Sequence, residues 1–114
     1  MLCLNRMAVI LFTKGPLLEW LHSIDPTSRD LTLRDLNLEP SVYLLTESYS
    51  DEEAARHVRR CYKAMFEAEL DGWWRQRSDW PRNLTYGLFT EWFDWQYHSV
   101  VLDLAKDPLI GEEV

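Results

Sequence analysis

From Arg6 to Phe12 the run RMAVILF is continuous, apolar and partly β-branched. Such a run suits a central strand covered on both faces. The period then changes. In TKGPLLEWLHSI, Leu17, Trp20, Leu21 and Ile24 recur at helical spacing. Gly15 makes the turn into this helix, and Pro16 fits its first position, where a missing N–H costs no hydrogen bond. Asp25–Pro26 ends it, because the residue before a proline avoids helical angles.

PTSRDLTLRDLNLEP (26–40) carries weaker signals. Thr32, three residues ahead of Asp35, resembles a capping box with Asp in place of Glu. It predicts a short helix over 33–38, closed by Pro40. SVYLLTE (41–47) alternates and is β-prone, a second strand. Strand, helix and strand in that order imply a right-handed crossover and parallel pairing.

The next helix has the clearest signature. Ser50 caps it, Asp51 and Glu52 occupy the first turn, and Glu53 completes a capping box. Ala54, Val58, Cys61, Tyr62, Met65 and Leu70 recur at helical spacing, and Gly72 closes the run as a C-terminal glycine. WWRQRSDWPRN (73–83) has no period and reads as a connection. A further helix over roughly 84–92 follows, weakened by Gly87.

Residues 93–104 fit two periods. A helix would align Phe89, Phe93, Tyr97, Val100 and Leu104. A strand would set Trp95, Tyr97, Ser99 and Val101 against Gln96, His98, Val100 and Leu102. The strand is preferred, because two strands alone make a marginal sheet and Val100–Val101 is β-branched. KDPLIGEEV (106–114) reads as a surface tail. The expectation is a single α/β domain over 1–114, with α+β as the alternative. Its small three-stranded sheet would have the first two strands parallel, packed by two main helices and shorter helical segments.

Composition adds the scale. A chain of 114 residues, 46% apolar and 27% charged, can bury its own core. Six tryptophans concentrate packing energy in few residues. Cys3 and Cys61 form no disulfide framework and no C-x-x-C motif, as in a reduced cytoplasmic protein. No apolar run approaches a membrane span. MLCLNRMAVILF begins like a signal peptide, but Asn5 and Arg6 interrupt it and no small-residue cleavage site follows.

The net charge of −7 argues against general nucleic-acid binding. The charge is segmented: residues 1–24 carry +1, 25–53 carry −6, 54–82 carry +3 and 83–114 carry −5. The one strongly basic segment also holds Trp73, Trp74 and Trp80. There the rings and Arg75, Arg77 and Arg82 can stack on a base or clamp a phosphate or carboxylate, or fold back as a lid over the sheet.

Other candidates are weighed the same way. Asp94 and His98 share a face on either a helix or a strand, and a carboxylate beside an imidazole is half of a general-base arrangement. Glu91 would join them only on a helix. Ser99 points away from His98 on a strand, whereas Ser23, Ser28 or Cys61 would have to approach through the fold. His57 and Cys61 lie one turn apart, a spacing that can begin a zinc site, but no second ligand pair exists and Cys61 lies on the apolar stripe. No metal or other cofactor is therefore expected. Arg56, Arg59, Arg60 and Lys63 make a basic helix face, with Glu52 and Glu67 at pairing distance along the helix. HSIDPTSRD (22–30) is explained by turn chemistry, and no glycine loop for phosphate is present.

The strings WLHSIDPTSRDLTLRDLNLEPSVYLL (20–45) and HSVVLDL (98–104) resemble a group of short uncharacterised bacterial proteins. The resemblance spans about residues 6–110 and implies a bacterial, cytoplasmic, single-domain protein. It supplies no substrate, cofactor or functional residue.

The preferred expectation is a non-enzymatic, small acidic interaction or regulatory protein that contacts another protein or itself. Its contact surface would join Trp73, Trp74, Arg75, Arg77, Trp80 and Arg82 with Trp92 and Trp95. The rival is a small hydrolase or ligand-binding enzyme centred on Asp94 and His98. A third reading is an oligomer whose tryptophans serve self-association.

Overall fold

The computed structural model describes all 114 residues. In chain order the elements are β1 (Leu2–Cys3), β2 (Arg6–Thr13), α1 (Gly15–Ile24), α2 (Leu33–Leu36), β3 (Val42–Thr46), α3 (Asp51–Trp73), α4 (Tyr86–Trp92), β4 (Phe93–His98) and β5 (Leu102–Asp103). Single 3₁₀ turns lie at Pro26–Ser28 and Arg77–Asp79. No helix is long and apolar enough to cross a membrane.

β2 is the middle strand of the order β3–β2–β4, and it is antiparallel to both neighbours. With 44% of residues helical and 20% in strands, all antiparallel, the class is α+β. The parallel crossover expected for the first two long strands does not form. A crossover must carry the chain back along the full strand length. Instead α1 and α2 return it to the end at which it left β2. Asn37, just past α2, holds that return. Its side-chain oxygen accepts from the Thr13 N–H at 2.7 Å, and its amide donates to the Thr13 carbonyl at 3.0 Å. β3 therefore starts beside the end of β2 and runs back along it, from Val42 opposite Ile10 to Thr46 opposite Arg6.

β1 and β5 form a separate two-stranded antiparallel pair beyond β2 and β4. Between Cys3 and Ala8 the chain uses one residue more than between their partners Leu102 and His98. That is the count of a β-bulge, and it explains why the expected strand 93–104 is broken after His98.

β2 is covered on one face only, contrary to the reading of its apolar run. Met7, Val9, Leu11 and Thr13 are buried, whereas Ala8, Ile10 and Phe12 on the other face are half-buried. The buried side packs on Leu17 of α1, on Ala54, Val58, Met65, Phe66 and Leu70 of α3, and on Phe89 and Trp92 of α4. Phe66 is the hub. Its ring lies 5.3 Å from Phe93, 5.5 Å from Trp92 and 6.0 Å from Phe89, all in tilted or edge geometries that favour aromatic pairs.

Local signals govern the helix starts. The Ser50 hydroxyl accepts from the Glu53 N–H, and the Thr85 hydroxyl accepts from the Leu88 N–H, both at 3.1 Å. Gly72, expected to terminate α3, lies inside its last turn and has no positive φ. The stop comes at Trp74, whose extended backbone still donates to the Leu70 carbonyl at 2.8 Å.

Candidate functional site

The connection after α3 is built by its own tryptophans. Trp74 Nε1 donates to the Asp79 carboxylate at 2.9 Å, and Trp80 Nε1 donates to the Trp74 carbonyl at 2.7 Å. Trp20 on α1 donates to the Asp79 carbonyl at 3.0 Å, which pins the turn to the helical layer. A buried indole N–H must find an acceptor, and here all three acceptors come from residues 74 to 79. The rings thus shape the connection rather than project from it.

That folding-back creates a cleft of about 550 Å³ between the connection and one flank of α3. Tyr62, Lys63 and Glu67 line it from α3, and Arg77, Trp80, Pro81, Arg82, Asn83, Leu84 and Thr85 line it from the connection. The Arg77 guanidinium stacks 4.8 Å from the Trp80 ring centre and pairs with Glu67 at 3.2 Å. Lys63 and Arg82 form no ion pair. Two uncommitted cations and one oriented guanidinium therefore line the same cleft as Tyr62, Trp80, Pro81 and Leu84. Close by, Arg59 lies 4.8 Å over the Tyr86 ring, and Tyr86 packs edge-on against Tyr62 at 5.4 Å.

The sequence candidates divide accordingly. Arg77, Trp80 and Arg82 meet in the cleft. Trp73 turns to the opposite side of α3, where it lines a smaller cleft of about 180 Å³ with Glu39, Ser41 and Glu69. Trp74 is half-buried and holds the turn, and Arg75 is exposed outside the cleft. Trp92 is 8% exposed and belongs to the core, so it presents no contact surface. Trp95 is half-buried on β4 beside Tyr97, at 6.2 Å between ring centres. The single contact surface expected from these eight residues is therefore corrected to a three-residue convergence. Lys63 and Tyr62 join them from α3, where the sequence places Lys63 on a basic helix face and Tyr62 on the apolar stripe. Their spacing from Glu67 on one helix was the available signal.

Asp94 and His98 do share the outer face of β4, but they do not meet. Four residues along a strand span about 13 Å, whereas one helical turn would have joined them. Asp94 lies 3.9 Å from Lys14 instead, and the Gln96 amide donates to Nε2 of His98 at 2.8 Å. Neither residue lines any of the concavities. Glu91 lies at the end of α4, off that strand. Nε2 of His57 lies 3.7 Å from the Glu53 carboxylate, and no third ligand joins His57 and Cys61. In the 22–30 turn, Asp25 accepts from the Thr27 N–H and hydroxyl, and Ser28 donates to Leu21 and Asp25 carbonyls.

Three tyrosines are held in the neutral form. Burial and the Glu69 carboxylate raise the Tyr43 phenol well above its ordinary value. Bonds to Glu47 and to Asp51 raise Tyr49 and Tyr97 in the same direction. All three lie away from the basic cleft.

No protein-family model, curated protein or solved structure matches this chain.

Proposed function

We propose that the protein is a small non-enzymatic interaction protein whose cleft beside α3 receives an acidic segment of a partner protein. The observation that carries this reading is the convergence of Lys63, Arg77 and Arg82 on one cleft walled by Trp80 and Tyr62. Charge-assisted hydrogen bonds to carboxylates are the strong ones, and a guanidinium fork fixes their direction. The aromatic and proline walls add apolar area that a bare phosphate could not use, which favours a peptide with carboxylates and an apolar or aromatic side chain. The only aliphatic hydroxyl in the lining, that of Thr85, is already committed to capping α4, an arrangement suited to holding rather than to nucleophilic attack. The acidic segments 25–53 and 83–114, of charge −6 and −5, would repel an acidic segment and so favour docking on the basic segment between them.

The test is a fluorescence titration with a labelled glutamate-rich peptide that carries one central tyrosine. The wild-type chain should bind it, more weakly as salt rises. The double variant Lys63→Glu, Arg82→Glu should lose about tenfold or more in affinity, equivalent to about 1.4 kcal/mol, while Arg75→Glu outside the cleft should not. Equal affinity for the wild type and the double variant would overturn the reading.

A further inference from the structure

The other flank of α3 meets the free edge of β3, and it has a different chemistry. β3 pairs with β2 alone. No turn or loop hydrogen bond uses the outward backbone groups of Val42 or Leu44, and the Thr46 carbonyl finds only a side chain, Ser48. Exposed edges are normally guarded by charge, proline, a bulge or a covering segment. VYLLT contains no charge and no proline. Val42 is 59% exposed and Leu44 49%. Against this edge lies a groove of about 280 Å³ lined wholly by Tyr43, Leu44, Leu45, Cys61, Ala64 and Met65. The other edge, β4, carries the exposed polar side chains of Asp94, Gln96 and His98.

We infer that two copies of this chain associate through their β3 edges, forming one six-stranded antiparallel sheet about a twofold axis near Leu44. The inference is independent of the acidic-segment reading, which concerns the opposite flank of α3. A twofold axis satisfies both edges at once and closes the assembly, because the same strand serves both partners. Charge on α3 points to a second copy rather than to an unrelated strand. On the helix stripe that runs through Ala64, Arg60 precedes it and Asp71 follows it. The operation that sets β3 antiparallel to its mate also sets α3 antiparallel to its mate. Arg60 of each helix then lies on the same seam as Asp71 of the other. Ala64 and Ala68 are exposed on this side of α3, and such short side chains admit helices at the usual spacing of about 8–10 Å. The C-terminal Val114 comes to the Ala64–Asp71 face of α3 but is 121% exposed, so it covers none of the groove.

Light scattering of the full chain during size exclusion, from low to high micromolar concentration, tests this. The expected mass is twice the 13.6 kDa of one chain. Leu44→Lys and Ala64→Arg, both at exposed positions, should return it to one chain with an unchanged circular dichroism spectrum. Lys63→Glu with Arg82→Glu should leave it at two. Amide exchange at Val42 and Leu44 should slow as the wild-type concentration rises, a readout that needs no variant. A single-chain mass at every concentration overturns the inference, and so does a two-chain mass that survives both edge variants. A single-chain mass together with peptide binding would sink the dimer and leave the acidic-segment reading standing. A two-chain mass without peptide binding would do the reverse.

Discussion

The two flanks of α3 make opposite kinds of surface from one helix. Toward the 73–85 connection, the helix contributes Tyr62, Lys63 and Glu67 to a cleft rich in charge and aromatic rings, whose indole N–H groups are satisfied. Toward β3, it contributes Cys61, Ala64 and Met65 to an uncharged, apolar groove, beside backbone groups that lack partners. The contrast separates two notions of a binding surface. One is recognised by which side chains it holds. The other is recognised by what remains unpaired after folding. Conspicuous residues point to the first, and only an inventory of satisfied groups reveals the second.

The flanks should also differ in how tightly they are tied to stability. The largest effect is expected on the cleft side. Trp80→Ala removes a ring packed on the core, the bond to the Trp74 carbonyl and the seat of Arg77. Denaturant unfolding should show a loss of about 3 kcal/mol, toward the lower end for a truncated tryptophan because the ring is only half-buried. A loss below about 1 kcal/mol would mean that the cleft wall is not structural, and the contrast between flanks would collapse.

The next effect belongs to the return that sets the β3 edge in place. Asn37→Ala leaves both backbone groups of Thr13 without their partners. Thr13 is 6% exposed, so water replaces those partners poorly. A cost of about 2 kcal/mol is expected in the same experiment, with faster amide exchange along β3. If exchange at Val42–Leu45 stays unchanged, Asn37 does not position the edge.

The smallest effect is on β3 itself. The Tyr43 hydroxyl donates to the Glu69 carboxylate, and Tyr43→Phe should cost about 1 kcal/mol near neutral pH. Its pH dependence follows from the raised phenol. The folded state favours the neutral form, so the stabilisation is complete below pH 10, the ordinary phenol value, and is lost as pH rises above it. Wild-type stability should therefore fall more steeply above pH 10 than that of the variant. Tyr49 and Tyr97 are raised too, so the variant should still retain part of the slope.

Much of this architecture was legible along the chain. Ser50, Asp51, Glu52 and Glu53 announce the start of α3, and the spacing from Ala54 to Leu70 announces its buried stripe, because caps and periodicity act within a few residues. The strand at 93–98 followed from the need for a third strand. Gly72 misled, since a glycine inside a last helical turn costs only about 1 kcal/mol. Topology was misread because a helix between two strands ordinarily signals a crossover. The contrary information lay in one side chain, Asn37, whose partner is 24 residues away.

The candidate sites show the same limit. Co-facial placement of Asp94 and His98 was legible from an even spacing, but their separation depends on whether that spacing is wound as a helix or drawn out as a strand. Arg77, Trp80 and Arg82 were conspicuous in sequence, yet their convergence on Lys63 required Asp79 to be fastened to Trp20 and Trp74.

The sequence by itself determined where helices begin, which stripe of α3 is buried, and that the basic charge gathers in residues 54–82 among tryptophans. Those properties depend on neighbours three or four residues apart. Only the tertiary structure decided that β3 runs antiparallel to β2, that Trp92 belongs to the core, and that the free edge of β3 lies open beside Cys61 and Ala64. Each of these follows from pairing between segments distant in the chain, and a backbone group left unpaired by such pairing has no signature in residue type.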